Sequence, residues 1–276
     1  GGVQPDALDL SDMRRFLMNP VAREAGTVRC SILRYKSGGR RLFPLYRVFL
    51  EQGNWERFLL AGKKCAGNKT SNYLISMQEG ENLSRASRHV LGNLRANFVG
   101  TEFCMYDDGA DPRDMVPVGA GATDRVRREL GVVLYAGNML GSKGPRKMQV
   151  FVPQVDTEGR APEFCPTSGR EGDMLGQVKR EDLTDLMHLI NKPPRWNDEV
   201  EAYVLNFNGR VTMASVKNFQ LVKAEGREEG AEEEAVLLQF GRVAKHKFTM
   251  DLRWPLSPFQ AFAITLSSFD SKIACD

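Results

Sequence analysis

The 276-residue chain has only three histidines, His89, His188 and His246, and its five cysteines are too scattered for any C-x-x-C or Cys/His ligand spacing. An odd, widely separated cysteine set argues against both a zinc site and a disulfide framework. Free thiols of this kind suit a reducing compartment. There is no G-x-S-x-G nucleophile elbow. The run Gly137-Asn138-Met139-Leu140-Gly141-Ser142-Lys143-Gly144 resembles a phosphate loop without its G-x-x-x-x-G-K-[ST] spacing. Trp196-Asn197-Asp198-Glu199 holds adjacent acids but no nucleophile to pair with them, and His188 sits among Leu186, Met187 and Leu189 as a packing or surface residue would, not as a base. A non-enzymatic chain with no cofactor and no metal is therefore expected. The sequons at Asn68 and Asn82 are expected to be incidental, since no signal peptide is seen in the sequence. The Gly1-Gly2 start reads as a cut end, so a missing upstream segment is expected, with residues 1–15 a lead-in or remnant and residues 16–276 one domain.

What the chain does contain is a closing stretch without charge. Residues 254–269 read WPLSPFQAFAITLSSF. Ser257 before Pro258 has the form of an N-cap and first helical position. Beyond it the apolar residues Phe259, Ala261, Phe262, Ala263, Ile264, Leu266 and Phe269 point all round a helix, not along one stripe. Such a helix wants cover on every side, and it is shorter than the about 20 residues a bilayer span needs. Packing against one sheet or enclosure within a barrel would both serve.

The rest of the chain is written in short β-type runs. Val28, Cys30 and Ile32 alternate with polar residues; residues 46–50, 58–61, 73–77, 103–106, 131–135, 148–152, 235–240 and 247–252 follow, with Gly/Asn/Asp turns between many of them. Regular short strands argue for a barrel or sandwich. Residues 9–20 suggest a lead-in docking on the first strand. Residues 84–97, 123–130 and 180–190 are helix candidates. Asn208-Gly209 between Tyr203-Val204-Leu205-Asn206-Phe207 and Val211-Thr212-Met213 is the strongest hairpin signal. A helix of about 12–15 residues, at about 1.5 Å each, matches the height of six-residue strands. About a dozen such strands would close a barrel wide enough to need filling. Geometry thus favours enclosure.

Charge is unevenly placed. The run at 225–234 holds six acids and one base, so a net +3 chain has a body of +8 and one acidic, solvated loop. A basic body suits an anionic partner. Basic groups occur at Lys63, Lys64 and Lys69, at Arg85, Arg88 and Arg95, at Arg125, Arg127 and Arg128, and at Lys143, Arg146 and Lys147. They would form a phosphate pocket at a barrel rim if strand ends gather them; scattered solvated charge is the alternative.

Several long segments together resemble the tubby family, specifically its C-terminal domain. They include KTSNYLIS at 69–76, GPRKM at 144–148, NFNGRVT at 206–212, ASVKNF at 214–219, QFGRVA at 239–244, QAFAI at 260–264 and LSSFDSK at 266–272. The resemblance runs from about residue 16 to 276. It implies a mainly β fold: a closed antiparallel barrel of about twelve strands around the central C-terminal helix. It also implies binding of phosphoinositide head groups, chiefly phosphatidylinositol 4,5-bisphosphate, at an anionic membrane surface.

Carried over by position, the site residues are Lys63, Asn72, Asn93, Arg95 and Arg127. The family pattern Gly-Lys-Leu-Arg-Ser-Asn reads Gly92-Asn93-Leu94-Arg95-Ala96-Asn97 here, so Asn93 replaces a lysine. Losing one charge-assisted bond costs about 1.5–3 kcal/mol, and a weaker or altered preference is expected unless Arg88 or Lys64 substitutes. The resemblance further implies an adaptor in ciliary and membrane trafficking. Its partners would be ciliary transport machinery and membrane-receptor cargo. It would act as a monomer, cytoplasmic and peripheral at the plasma membrane, with cilium or nucleus as further addresses. A DNA-binding, transcription-related role and a scaffold barrel with weakened head-group binding stay open beside it.

Overall fold

The computed structural model describes residues 8–36, 43–67, 69–80, 83–113, 125–136, 147–166, 173–199, 201–225 and 235–270. Its strands are β1 (Val28–Tyr35), β2 (Leu45–Gln52), β3 (Trp55–Lys64), β4 (Asn72–Ser76), β5 (Val90–Ala96), β6 (Glu102–Asp107), β7 (Glu129–Tyr135), β8 (Met148–Pro153), β9 (Leu186–Asn191), β10 (Arg195–Asn197), β11 (Ala202–Val204), β12 (Phe219–Lys223), β13 (Leu238–Ala244) and β14 (Lys247–Leu252). The helices are α1 (Met13–Met18), α2 (Met174–Lys179) and α3 (Pro258–Phe269). Strands β1 to β9 follow one another round the wall; β12, β13 and β14 complete it and β14 pairs with β1, so twelve antiparallel strands close a barrel. Closure leaves no edge to protect. Strands β10 and β11 form a separate ribbon in the connection from β9 to β12.

Alternation of side chains along each strand sorts the residues. Val28, Cys30 and Ile32, and likewise Met148, Val150 and Val152, join the interior cluster that surrounds α3. The helix matches the barrel's height at 12 residues, about 18 Å. Ser257 Oγ accepts from Gln260 N–H and Gln260 Oε1 accepts from Ser257 N–H, a capping box with Pro258 in the first turn. Every residue of α3 except Gln260 is buried, and Gln260 Nε2 donates to the Leu130 carbonyl at 2.9 Å. At the other end Tyr135 and Ser267 hydroxyls lie 2.8 Å apart, and Tyr73 donates to buried Asp270 at 2.9 Å. Gly62 lets the wall come close: a Cβ there would sit 2.8 Å from the Phe262 ring.

Local readings that the fold overrides share a cause. Residues 90–96 of the helix candidate 84–97 form β5, because Val90, Leu91 and Leu94 are needed in the wall. In the candidate 123–130, Arg125 to Arg128 are laced to residues 107–110 and β7 begins at Glu129; 123–124 lie outside the described residues. Of 180–190, residues 186–190 belong to β9, and the helix lies earlier, as α2, capped by Asp173. Asn208 and Gly209 take the positive φ values (50° and 73°) their types allow, yet no strand pair forms across them. Tyr203 pairs backward with Trp196 and Met213 bridges Arg242. The lead-in, too, docks elsewhere than on β1: α1 packs on α3, and Arg14 donates to the carbonyls of Arg88 and Val90 and to Asp108. The acidic loop beyond Glu225, the sequon asparagines Asn68 and Asn82 and residues 137–146 lie outside the described residues.

Candidate functional site

The side chains of β3 to β7 that do not enter the core cover one stretch of outer wall. Leu94 faces inward with Phe103 and Met105, so Asn93, Arg95, Cys104 and Tyr106 face outward by alternation. The register aligns Asn72 with Arg95 and Arg95 with Cys104, and on the next rung Lys63 with Leu74, Leu74 with Asn93 and Asn93 with Tyr106. Four expected residues, Lys63, Asn72, Asn93 and Arg95, thus lie within about 10–15 Å on adjacent strands. Lys64, one residue on from Lys63, faces inward; its Nζ is 3.2 Å from buried Asp270, and that commits its charge to the interior.

Arg127 reaches the same patch from the segment before β7. Arg127 N–H donates to the Ala110 carbonyl and Ala110 N–H donates to the Arg125 carbonyl. Gly109 makes this lacing possible: a Cβ there would run into the Arg127 backbone. Alternate residues then diverge. Arg125 and Arg128 clamp Asp107, 1% exposed, at 2.6 and 2.8 Å. Burial works against the Asp107 charge, but those bonds outweigh it and hold its pKa below the usual carboxylate range. Arg127 turns the other way, its guanidinium carbon 4.0 Å from the Tyr106 ring centroid. That stacking is a cation–π contact of the kind strengthened by desolvation.

Here β5 to β7 and α2 border a half-open cavity of about 650 Å³, within the range of small-ligand sites. Helix α2 stands off the wall on a second apolar cluster, in which Met174 and Val178 meet Val132, Phe151, Phe164 and Leu186. The lining is mixed: Arg95, Arg113, Arg127, Lys179 and Arg180 face Glu102, Asp111, Glu129 and Asp173. Cationic character is concentrated where the arginines converge. Arg95 Nε donates to Asn93 Oδ1 at 3.1 Å, so Asn93 orients the arginine next to it. Burial, and then the Arg127 charge, pull the Arg95 pKa below the ordinary arginine value. Arg127 Nη1 is 2.6 Å from Asp111 Oδ2, an ion pair without hydrogen-bond alignment, and its buried Nε has no hydrogen-bond partner among the described residues. The same holds for buried Asn72 Oδ1 and Ser71 Oγ. Buried polar atoms left so are costly; those of Arg127 lie in the cavity wall, where a ligand would satisfy them, whereas Asn72 and Ser71 do not line it.

Arg95 and Arg127 therefore meet in the cavity, and Asn93, which does not line it, holds Arg95 from the same strand. Asn72 flanks Arg95 in register and Lys63 lies two strands from Asn93, and neither lines the cavity. Tyr106, Asp111 and Arg113 escaped sequence reading: Tyr106 looks like any strand aromatic, and nothing in its spacing tells that Asp111 folds back on Arg127.

Glu129 forms part of the cavity lining. Burial pushes its carboxyl up to about 7, although it accepts from Met174 N–H at 2.6 Å. A folded-state pKa above the unfolded one favours the protonated form, so this contribution to stability is full below about 4.5 and lost as pH rises through about 7. Glu129→Gln should remove a decline on the order of 1–2 kcal/mol between pH 5 and pH 8, read as a urea midpoint that changes less with pH than wild type's. An unchanged pH profile would mean the carboxyl ionises without cost.

The chain is a helix-threaded, closed antiparallel barrel carrying a pocket of mixed arginines and acids on its outer wall. Residues 17–271 match the Tub family, and the chain belongs to that family. It is 43% identical over 270 residues to Tubby-related protein 3 of Mus musculus, covering 97% of this chain and 56% of that protein. Tubby-related protein 1 of Homo sapiens is 42% identical over 98% of this chain and 47% of its own length. Tubby protein homolog 1 of Caenorhabditis elegans is 40% identical over 96% and 62%. The chain spans about half the length of the curated relatives it matches. No helix among the described residues is long and apolar enough to cross a membrane.

Proposed function

We propose that this barrel is a non-enzymatic module that binds phosphoinositide head groups, phosphatidylinositol 4,5-bisphosphate above all, and so sits peripherally on anionic membranes. The observation that carries it is the convergence of Arg95 and Arg127 in one cavity, with Arg127 stacked on Tyr106 and its Nε unsatisfied. Guanidinium forks suit phosphate oxygens, and family membership supports the same reading. A second observation favours a membrane as the source. The β5–β6 turn at the pocket's edge is pinned by Asn97, whose Oδ1 accepts from Thr101 and Glu102 N–H, and it carries Phe98 and Val99 at 71% and 61% exposure. An adaptor role in membrane or ciliary trafficking, through transport machinery and receptor cargo, is the extension this reading invites. A duplex would ask for a continuous basic stripe; cations alternating with acids around a half-open cavity suit a compact anion better.

Liposome co-sedimentation over a phosphoinositide panel tests the proposal. Arg95→Ala should lose head-group-selective binding. Asn93→Lys should strengthen it about tenfold, since a charged donor replaces a neutral one, less whatever Arg95 loses in orientation. Equal binding to all anionic lipids, indifferent to both changes, would sink the pocket. Tight binding to duplex DNA at physiological salt would favour the transcription-related alternative.

A further inference from the structure

The anion seat already holds an anion. Asp111 Oδ2 lies 2.6 Å from Arg127 Nη1, 2.8 Å from Arg113 Nη2 and 3.4 Å from Arg95 Nη1. Its Oδ1 accepts from Arg113 Nε and from Arg113 N–H, both at 3.1 Å. One carboxylate, itself 8% exposed, thus faces three guanidinium groups inside the cavity. A phosphate monoester carries more negative charge and more acceptor oxygens than one carboxylate, and would match the converging guanidinium groups better. We propose that Asp111 is a built-in competitor: its carboxylate occupies the position of a head-group phosphate and must be displaced before the phosphate engages Arg127. The inference rests on the head-group reading above and adds what limits that site's affinity.

Two features separate a competitor from a scaffold. Arg127 does not depend on Asp111 for its placement, because its backbone is laced to Ala110 and its guanidinium rests on Tyr106. Arg95 is likewise held by Asn93. Removing the carboxylate charge therefore leaves Arg95 and Arg127 in place and takes away what fills the space between them; only Arg113, which bonds Asp111 through Nε, Nη2 and its backbone N–H, loses an anchor. Asp111 does not leave by protonation at ordinary pH either. Hydrogen bonds from Arg113 hold its carboxyl far below the usual carboxylate range despite burial, so a rival anion is what dislodges it.

The test compares wild type with Asp111→Asn, Asp111→Ser and Asp111→Glu. Two probes are used: phosphatidylcholine vesicles doped with phosphatidylinositol 4,5-bisphosphate, and soluble inositol 1,4,5-trisphosphate. Both uncharged variants should bind each probe about tenfold more tightly, the scale of one charge-assisted contact no longer opposed. Asp111→Glu, which keeps the charge, should stay near wild type. The serine variant carries the experiment if the asparagine variant misfolds. Weaker or unchanged binding by the uncharged variants, while wild type binds and Arg127→Ala does not, would overturn the competitor and leave the head-group reading standing. Binding of the soluble probe without vesicle binding would keep the seat and its competitor but end the membrane reading. No binding of either probe by any variant would end both.

Discussion

Phe262→Ala is expected to destabilise the protein by about 3–5 kcal/mol, the range for large aromatic truncations in cores. The upper part of that range applies because the site cannot collapse. Phe262 is fully buried in the middle of α3, and the wall opposite it is Gly62, whose absent side chain is what the ring fills. Truncation therefore leaves a void bordered by backbone, which strand pairing to Leu45–Tyr46 on one side and Ile75–Leu74 on the other holds in place. The midpoint of a urea melt, with the slope checked for constancy, gives the loss. A change below about 1 kcal/mol would mean the ring is peripheral.

Arg127→Ala is expected to lower binding to bisphosphate vesicles by at least about a hundredfold, as truncating a desolvated, hydrogen-bonding charge does. Arg127→Lys should restore little, because an ammonium group lacks the planar fork that lies on Tyr106 and aims two edges at once. Co-sedimentation at fixed salt measures both, with a melt to show that the barrel persists. A loss below about threefold, or full rescue by lysine, would show that Arg127 acts only through net charge and that the cavity is not the head-group site.

The barrel was legible because its signals are local and repeated. Alternation at Val28, Cys30 and Ile32, or at Met148, Val150 and Val152, is written in the chain and needs no partner to be read. Errors fell where two local codes compete. Arg85, Arg88 and Arg95 imitate a helical charged face, yet Val90 to Ala96 are wanted between β4 and β6. A strand gains its hydrogen bonds from distant neighbours, so a window of residues cannot show that it wins.

Of the site, the arginines were legible and their setting was not. Arg125, Arg127 and Arg128 read as one basic cluster. Folded, they divide: two neutralise buried Asp107 and one enters the cavity. Lys63 and Lys64 divide the same way, outward and inward. Charge is a property of composition, but the face it occupies is a property of strand pleating. Tyr106 and Asp111 gain their roles only from what the β6–β7 lacing brings over them.

The sequence by itself determined the closing helix: its cap, its span and its need for cover follow from Ser257, Pro258 and an unbroken ring of apolar residues. It determined the strand-rich wall as well, since period-two patterning depends on neighbours along the chain. Tertiary structure decided which cations meet, that Asn93 orients Arg95, and that Asp111 lies between the arginines. The reason is range. Apolar burial is set by pattern and needs no particular partner, whereas an ion pair between residues on different strands exists only after register and closure fix their separation.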